Sequence, residues 1–289
     1  MARQFSLRSG CKINIYLKIL KKRNDGYHDI DSIFLPLANP WDQVEIIENS
    51  QPGLRLKCCP PELENRQNIL HKAYAAFAQA TGFRPGLTVF LHKKIPTGAG
   101  LGGGSSNAAM ILLALNKMAG ARGLDLKDIL RLAAGVGADV PFFIKNHPAR
   151  VQGIGEVLTP VKTDLNGLKM ILICPGLHVD TAWAYSQWDI HQKNPVSAGS
   201  DSLTSLPTTD KASRLEEQPV FSNSFEEIVF KAFPEIRKIK LAMLESGAGA
   251  CVMSGSGSSL TAWFRDQDRA FNACCLLDSR SIPFYYYNL

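Results

Sequence analysis

Apolar and polar residues alternate near the start of the chain, with the period of two that is typical of a half-buried strand. Between residues 12 and 19, four aliphatic residues fall on one face of an extended segment: Ile13, Ile15, Leu17 and Ile19. The turn signal Asn24-Asp-Gly26 follows this predicted strand. The same criteria predict further strands at residues 44–47, 54–57, 87–93, 169–174, 260–264 and 284–287, and one that begins near residue 249.

Helical spacing and helix-end signals lie between these strands. They predict helices at residues 68–80, ended by Gly82, from about 108 to 118, from Asp125 to 134, from 235 to 244 behind Pro234, and from 266 to 277. Ser224-Phe-Glu-Glu227 has the pattern of a capping box that opens another helix. Residues 191–217 are rich in Ser, Thr, Asp, Lys and Pro, which predicts a surface excursion.

Strands and helices occur in both halves of the chain, so we expect an α+β protein with two packed domains. The break is predicted near Gly153-Ile-Gly155, which gives domains of residues 1–154 and 155–289. Clefts between domains are frequent ligand sites, and we expect the active site in the cleft between these two.

The segment Pro96-Thr-Gly-Ala-Gly-Leu-Gly-Gly-Gly-Ser-Ser-Asn-Ala-Ala109 joins a predicted strand to a predicted helix. Its three consecutive glycines can adopt positive φ angles and let the backbone approach a ligand closely. Ser105 and Ser106 follow at the helix start, where unpaired amides and the helix dipole favour an anion. The sequence therefore predicts a loop that binds the phosphates of a nucleotide.

Three other interpretations of this segment are weaker. A flexible Gly-Ser linker is disfavoured because apolar runs adjoin the segment on both sides. A dinucleotide-binding G-x-G-x-x-G needs an acidic residue at the end of the next strand, whereas Asp125 has the sequence context of a helix N-cap. A Walker A loop needs Gly-Lys-Ser/Thr, which is absent from the sequence.

Composition narrows the class of protein further. The 289 residues are 45% hydrophobic and 20% charged, with a formal net charge of +6 that suits an anionic ligand. The basic residues form no dense run, which disfavours nucleic-acid binding. Seven cysteines without a Cys-x-x-Cys spacing favour reduced thiols over a zinc or redox site.

A cytoplasmic protein that does not enter a membrane is expected from the distribution of apolar and charged residues. No apolar run approaches the length that spans a bilayer. The region before Asp25 contains no acidic residue, as in a transit peptide, but the predicted strand at residues 12–19 begins close to the start of the sequence and leaves little to be cleaved. We therefore expect no cleavable leader.

Three motifs in this order resemble those of the kinase superfamily named for galactokinase, homoserine kinase, mevalonate kinase and phosphomevalonate kinase (GHMP). They are Lys12-Ile-Asn14, the glycine-rich segment from Pro96, and Gly255-Ser-Gly257. The resemblance implies a GHMP-kinase-like fold, ATP as phosphoryl donor, an N-terminal nucleotide-binding domain and a C-terminal domain on the substrate side.

Two further motifs, Asp25-Gly-Tyr-His28 and Gly137-Ala-Asp-Val-Pro141, are similar to one branch of that superfamily. Members of that branch phosphorylate the 2-hydroxyl of 4-diphosphocytidyl-2-C-methyl-D-erythritol in the non-mevalonate isoprenoid pathway. The alternatives are a superfamily kinase for homoserine or mevalonate, or a sensor that binds ATP or another ligand without transferring phosphate.

Asp139 and Lys12 are the predicted catalytic residues. Phosphoryl transfer needs a group that orients or deprotonates the attacking hydroxyl, and Asp139 stands in a turn of small residues. An aspartate in such a turn is more often only a turn former, and it is the resemblance that favours catalysis. Lys12 faces the same way as Asn14 on its strand, and the resemblance implies that it lies beside Asp139 and keeps the carboxylate ionised.

The remaining predicted contacts belong to ATP, magnesium and the substrate. Those for ATP are Asn68, Lys93, Pro96, Thr97, Gly98, Ala99, Gly100, Leu101, Gly102, Gly103, Gly104, Ser105 and Ser106. Mg²⁺ is expected as the counter-ion of ATP, with Ser106 as the candidate protein ligand. By resemblance, Tyr27 and Tyr185 stack on the cytosine and His28 bonds its polar edge. The other predicted substrate contacts are Asn14, Gly255 and Ser256.

Overall fold

A computed structural model describes residues 3–193 and 221–289 of the chain. Its backbone divides into two compact units that exchange segments of the chain. Unit 1 comprises Met1–Asn14, Tyr27–Thr97 and Leu101–Val161. Unit 2 comprises Ile15–Gly26, Gly98–Gly100 and Lys162–Leu289.

Unit 1 is built on a mixed sheet. Its strands are β1 (Gln4–Lys22, the part up to Asn14), β2 (His28–Asn49), β3 (Gly53–Cys59), β4 (Gly86–His92), β5 (Ala149–Gly153) and β6 (Val157–Pro160). The order is β3-β4-β2-β1, with β5 on the first part of β2 and β6 on β5. β3 runs parallel to β4, whereas the pairs β2–β4, β2–β5 and β5–β6 are antiparallel.

The described part of unit 1 also contains four α-helices: α1 (Ile69–Thr81), α2 (Gly103–Ala119), α3 (Leu126–Val136) and α4 (Val140–Lys145). The predicted end signals are confirmed. Asp125 accepts a hydrogen bond from the backbone N–H of Asp128 at 2.8 Å, and Gly82 ends α1 with a φ of 70°. The helices and the sheet share a buried core that includes Val44, Ile46, Phe77, Leu87, Val89, Ile111, Leu112, Leu115 and Phe142.

Unit 2 contains a second, antiparallel sheet. Its elements are β7 (Lys169–Ile173), α5 (Thr181–Lys193), β8 (Ser222–Asn223), α6 (Glu226–Ala232), α7 (Pro234–Glu245), β9 (Ala250–Met253), β10 (Leu260–Phe264), α8 (Gln267–Ser279) and β11 (Phe284–Asn288). The sheet order is β11-β7-β10-β9, and α7 and α8 pack on it. β8 pairs in parallel with Tyr16 and Leu17 of β1.

Some elements differ from the sequence prediction. β2 is 22 residues long, although only its segment 44–47 was predicted, and α4, α5, β5 and β6 were missed. Unit 1 continues to Val161, past the predicted boundary at residue 154, because β6 pairs with β5. Of the predicted excursion at residues 191–217, the first three residues end α5, and the rest lies outside the described residues.

The predicted capping box at Ser224 is wrong. The hydroxyl of Ser224 accepts a hydrogen bond from the backbone N–H of Ile19 at 3.1 Å, and is therefore committed to β1. α6 begins later, at Glu226, and no side chain of the described residues caps its N-terminus. Pro234, in contrast, stands in the first turn of α7 as predicted.

None of the helices within residues 3–193 and 221–289 combines the length and the apolar character needed to cross a bilayer.

Two adjacent leucines of α2 offer a matched test of this core. Leu112 is fully buried, with 0% of its surface exposed, and Leu113 is 37% exposed. Leu112→Ala should lower the free energy of unfolding by about 2–5 kcal/mol, because it removes buried methyl groups and leaves a cavity. Leu113→Ala makes the same change in helix propensity and should cost less than about 1 kcal/mol. Equal losses in urea denaturation would contradict the assignment of the core face.

Candidate active site

The glycine-rich loop alternates left-handed residues with ordinary ones. Gly98, Gly100 and Gly102 have φ angles of 65°, 75° and 69°, a region that side chains other than glycine rarely adopt. Gly102 is the residue before α2, and its carbonyl accepts the N–H of Ser106 at 2.9 Å, which closes the first helical turn. The first amides of this 17-residue helix have no carbonyl partner within the helix and are suited to an anion.

Gly98 and Gly100 are required by contacts inside unit 2. A Cβ on Gly98 would collide with the ring of His178, and a Cβ on Gly100 would collide with the carbonyl oxygen of Ser254. Three hydrogen bonds fix this part of the loop: Val179 N–H to Gly98 O at 3.1 Å, Ser259 N–H to Ala99 O at 3.2 Å, and Ser254 Oγ to Gly100 O at 3.0 Å. These two glycines therefore serve close packing of protein against protein.

The next glycines belong to unit 1 and differ among themselves. A Cβ on Gly102 would lie 3.0 Å from the ring of Phe143, and one on Gly103 would lie 2.9 Å from Ile95. A Cβ on Gly104 would meet only a methyl group of Ile69, at 3.9 Å. Gly104 is exposed, so its missing side chain leaves open space at the start of α2, and it is the better position for testing close approach of a phosphate.

Lys12 is almost completely buried, with 4% of its surface exposed. Its Nζ lies 2.6 Å from Oδ1 of Asn14, 3.7 Å from Oδ2 of Asp139 and 4.5 Å from the ring centre of Phe34. Lys12 and Asn14 thus share a face of β1, as predicted. Burial lowers the pKa of Lys12, and the charge of Asp139 opposes that effect.

Asp139 stands directly before α4, in the helical region of φ and ψ. Among the described residues, its side chain makes no capping hydrogen bond to α4, and that side chain is 28% exposed. Its carboxylate is directed instead to the ammonium of Lys12. Of the two roles considered for Asp139, the geometry therefore favours a charged pair with Lys12, partly exposed to a ligand, and disfavours a simple turn former.

Asn68, Lys93 and Ser106, predicted as contacts of ATP, are engaged with protein partners. Asn68 caps α1 by accepting the N–H of Leu70 at 3.1 Å. Lys93 pairs with the buried carboxylate of Asp42. These residues lie beside or beneath the loop, and their contacts with ATP stay predictions.

The hydroxyl of Ser106 is buried at the start of α2. It accepts a hydrogen bond from Ser9 Oγ at 2.7 Å, and 1% of the surface of Ser106 is exposed. Within residues 3–193 and 221–289 there is no group of three or more His, Cys, Asp or Glu that could hold a metal ion.

The predicted substrate residues fall in both units. In unit 1, Tyr27 is 60% exposed and His28 is buried. In unit 2, Tyr185 is half-buried, and its ring meets the edge of Phe225 with the centroids 4.9 Å apart. Gly255 has a φ of 55°, and the hydroxyl of Ser256 lies 2.8 Å from that of Thr181.

Several buried polar residues around these positions were missed in the sequence. Asp42 and Ser9 support the base of the loop, and Ser32 accepts the amide of Asn14 at 2.8 Å. Asn223 donates to the carbonyls of Met253 and Gly255, both at 2.7 Å. Each is a single polar residue without a motif of its own, and its partners are distant in the sequence.

Comparison with known proteins defines the class. The family described as "GHMP kinases N terminal domain" matches residues 68–147, and "GHMP kinases C terminal" matches residues 210–275. A homoserine kinase from Cytophaga hutchinsonii has the same fold, with a TM-score of 0.65 at 19% identity over 98% of this chain and 93% of that one. The chain thus has the fold and both domains of the GHMP kinases.

Relatives of higher identity narrow the family. A 4-diphosphocytidyl-2-C-methyl-D-erythritol kinase from Nitratidesulfovibrio vulgaris strain Hildenborough is 43% identical over 98% of both chains. One from Lawsonia intracellularis is 40% identical over 91% of this chain and 90% of the relative. A crystal structure of a 4-(cytidine 5'-diphospho)-2C-methyl-D-erythritol kinase has a TM-score of 0.76 at 30% identity, over 98% of both chains. The chain belongs to the family of 4-diphosphocytidyl-2-C-methyl-D-erythritol kinases, a branch of the ATP-dependent GHMP kinases.

Gly104 and Gly135 form a matched pair for testing the loop. Gly104→Val places a side chain where a phosphate is expected to approach the backbone, and should cost the phosphate one hydrogen bond to an amide. A hydrogen bond to a charged group is worth about 1.5–3 kcal/mol, so ATP binding should weaken by about 10- to 150-fold. Gly135, in α3, also has open space around its missing Cβ, so Gly135→Val puts the same residue into a helix outside the loop. Titration with ATP measures both affinities. A Gly104→Val protein that is folded and binds ATP as tightly as Gly135→Val would contradict the predicted phosphate site.

Proposed function

We propose that this chain transfers the γ-phosphoryl group of ATP to the 2-hydroxyl of 4-diphosphocytidyl-2-C-methyl-D-erythritol, a step of the non-mevalonate isoprenoid pathway. The observation that carries the catalytic assignment is the buried ammonium of Lys12, 3.7 Å from the carboxylate of Asp139. The names of the relatives support the choice of substrate. A cytoplasmic location stays a prediction.

In the proposed reaction, the oxygen of the 2-hydroxyl bonds to the γ-phosphorus of ATP, and Asp139 accepts the proton of that hydroxyl. The bond between that phosphorus and the β–γ bridging oxygen breaks, and ADP leaves. Lys12 stabilises the negative charge of the carboxylate and of the transferred group, and the amides at the start of α2 hold the phosphates. Phosphoryl transfer depends mainly on such positioning and charge stabilisation.

Mg²⁺ is proposed as the counter-ion of ATP, and when bound it would neutralise charge on the β- and γ-phosphates. This ion is commonly held by phosphates and waters with one or two protein oxygens. The hydroxyl of Ser106 fits this proposal, because its oxygen is the kind of ligand that Mg²⁺ prefers and it lies in the first turn of α2. It receives a hydrogen bond from Ser9 and so has a fixed position.

For the cytidine end of the substrate, we propose stacking of the cytosine on Tyr27 and Tyr185, with His28 bonded to its polar edge. Tyr27 is 60% exposed, and Tyr185 is only half-buried although it packs on Phe225. Asn14, Gly255 and Ser256 complete the proposed substrate contacts.

An acceptor panel tests the choice of substrate. ADP release is measured with 4-diphosphocytidyl-2-C-methyl-D-erythritol, free methylerythritol, homoserine and mevalonate. The proposal requires turnover with the first compound to exceed that with the others. Preferred turnover of homoserine or mevalonate would identify a different GHMP activity, and tight ATP binding without turnover of any acceptor would identify a sensor.

Asp139→Asn should preserve substrate binding and lower kcat by about 10²- to 10⁴-fold, because an amide cannot accept the hydroxyl proton. Asp125→Asn is the matched control, since the N-cap of α3 tolerates either residue. Steady-state kinetics of both variants give the comparison. A loss below about tenfold in Asp139→Asn would leave Asp139 with a structural role.

Tyr185→Ala should raise the KM for the cytidine substrate about tenfold and leave the KM for ATP nearly unchanged, since stacking is worth about 1–3 kcal/mol per base. Tyr185→Phe retains an aromatic ring and should behave like the wild type. If Tyr185 belongs only to the core of unit 2, Tyr185→Ala would lower the melting temperature and change both KM values alike. Kinetics and thermal unfolding of the two variants separate these results.

A further inference from the structure

One fully buried carboxylate lies beneath the glycine-rich loop. Asp42, on β2, has 0% of its surface exposed and meets four donors. Its Oδ1 accepts the backbone N–H groups of Lys94 at 2.7 Å and Ile95 at 2.9 Å. Its Oδ2 accepts the side-chain amide of Asn107 at 2.9 Å and pairs with the ammonium of Lys93.

These donors stand at opposite ends of the loop. Lys93, Lys94 and Ile95 come directly before Pro96, where the loop begins, and Asn107 lies in the first turns of α2, where it ends. Lys93 also donates to Oδ1 of Asn107 at 3.1 Å. The two ends of the loop are therefore joined through one carboxylate.

A second link reaches the predicted phosphate-facing residues. The amide of Asn107 donates to Ser9 Oγ at 3.0 Å, and Ser9 donates to Ser106 Oγ at 2.7 Å. Ser9 and Ser106 are both buried, so water does not compete with these bonds. The chain of polar groups runs from Asp42 to the first turn of α2.

Three hydrogen bonds hold residues 98–100 of the loop, but the glycines that follow them are less restrained. Gly102, Gly103 and Gly104 have no side chains to restrain them, and glycine has the widest conformational freedom of any residue. Transfer of a phosphoryl group demands accurate placement, and a displacement of about 1 Å can cost about a hundredfold in rate. The ends of the loop must therefore be fixed by residues outside it.

We propose that Asp42 is a positioning residue for the phosphoryl donor: it fixes both ends of the glycine-rich loop, orients Lys93, and through Asn107 and Ser9 sets the position of Ser106. This inference rests on the proposed function, because it assigns ATP to the loop. Asp42 touches neither ATP nor the acceptor in this role. Its loss should weaken the binding of ATP and leave the binding of the acceptor unchanged, whereas the loss of a general structural residue would weaken both.

The test compares Asp42→Asn and Ser9→Ala with Glu48→Gln. Glu48 is also on β2, but it pairs with Arg3 near the surface, at 2.9 Å, so Glu48→Gln makes the same change of carboxylate to amide away from the loop. For each protein the dissociation constant of a non-hydrolysable ATP analogue, both KM values and the melting temperature are measured.

Asp42→Asn should raise the dissociation constant of the analogue about tenfold to a hundredfold and leave the KM for the cytidine substrate within about twofold. Ser9→Ala removes the hydroxyl that joins Asn107 to Ser106 and leaves the four donors of Asp42 in place. It should raise that constant about threefold in a protein that remains folded. Glu48→Gln should match the wild type in both measurements.

A folded Asp42→Asn protein with unchanged affinity for the analogue, or with both KM values raised alike, would overturn the inference. If Asp42→Asn does not fold, Ser9→Ala becomes the test. An affinity of Ser9→Ala for the analogue equal to that of the wild type would then overturn the inference. Affinity for the analogue is measured without an acceptor, so a wild type that binds it but phosphorylates another acceptor refutes the proposed function and leaves this inference intact. A wild type that does not bind the analogue refutes both.

Discussion

The site is organised around an ammonium group that has lost its water. Lys12 can remain charged inside unit 1 only if neighbouring groups compensate for the lost hydration. Asn14, Asp139 and the face of Phe34 provide that compensation, and they come from β1, from the turn before α4 and from β2. One buried charge therefore ties three elements together and brings a partly exposed carboxylate to a fixed place.

The glycines of the loop serve two different purposes. At Gly98 and Gly100 a side chain would collide with His178 or Ser254 of the same unit, whereas at Gly104 it would enter open space. A glycine-rich motif read only as a ligand site would assign the same role to all of them. The structure separates the glycines that build the loop from the glycine that leaves room beside it.

Local signals allowed much of the fold to be predicted from the sequence. Asp125, Gly82 and Pro234 act through their own backbone neighbours, and the alternation from Ile13 to Ile19 depends on one strand. Features that depend on distant partners were missed or misread. Ser224 has the pattern of a cap but bonds to β1, and Asp42 gains its meaning only when residues 93–95 and Asn107 are brought around it.

The exchange of segments between the two units has a consequence for fragments and chimeras. β1 passes from unit 1 to unit 2 at residue 15, and the chain enters unit 2 again for residues 98–100 only. A fragment ending at Val161 would carry these three loop residues without Val179, Ser254 and Ser259, which hold them. No single crossover point therefore separates the residues of unit 1 from those of unit 2, and recombination between relatives would have to keep residues 98–100 together with Val179, Ser254 and Ser259.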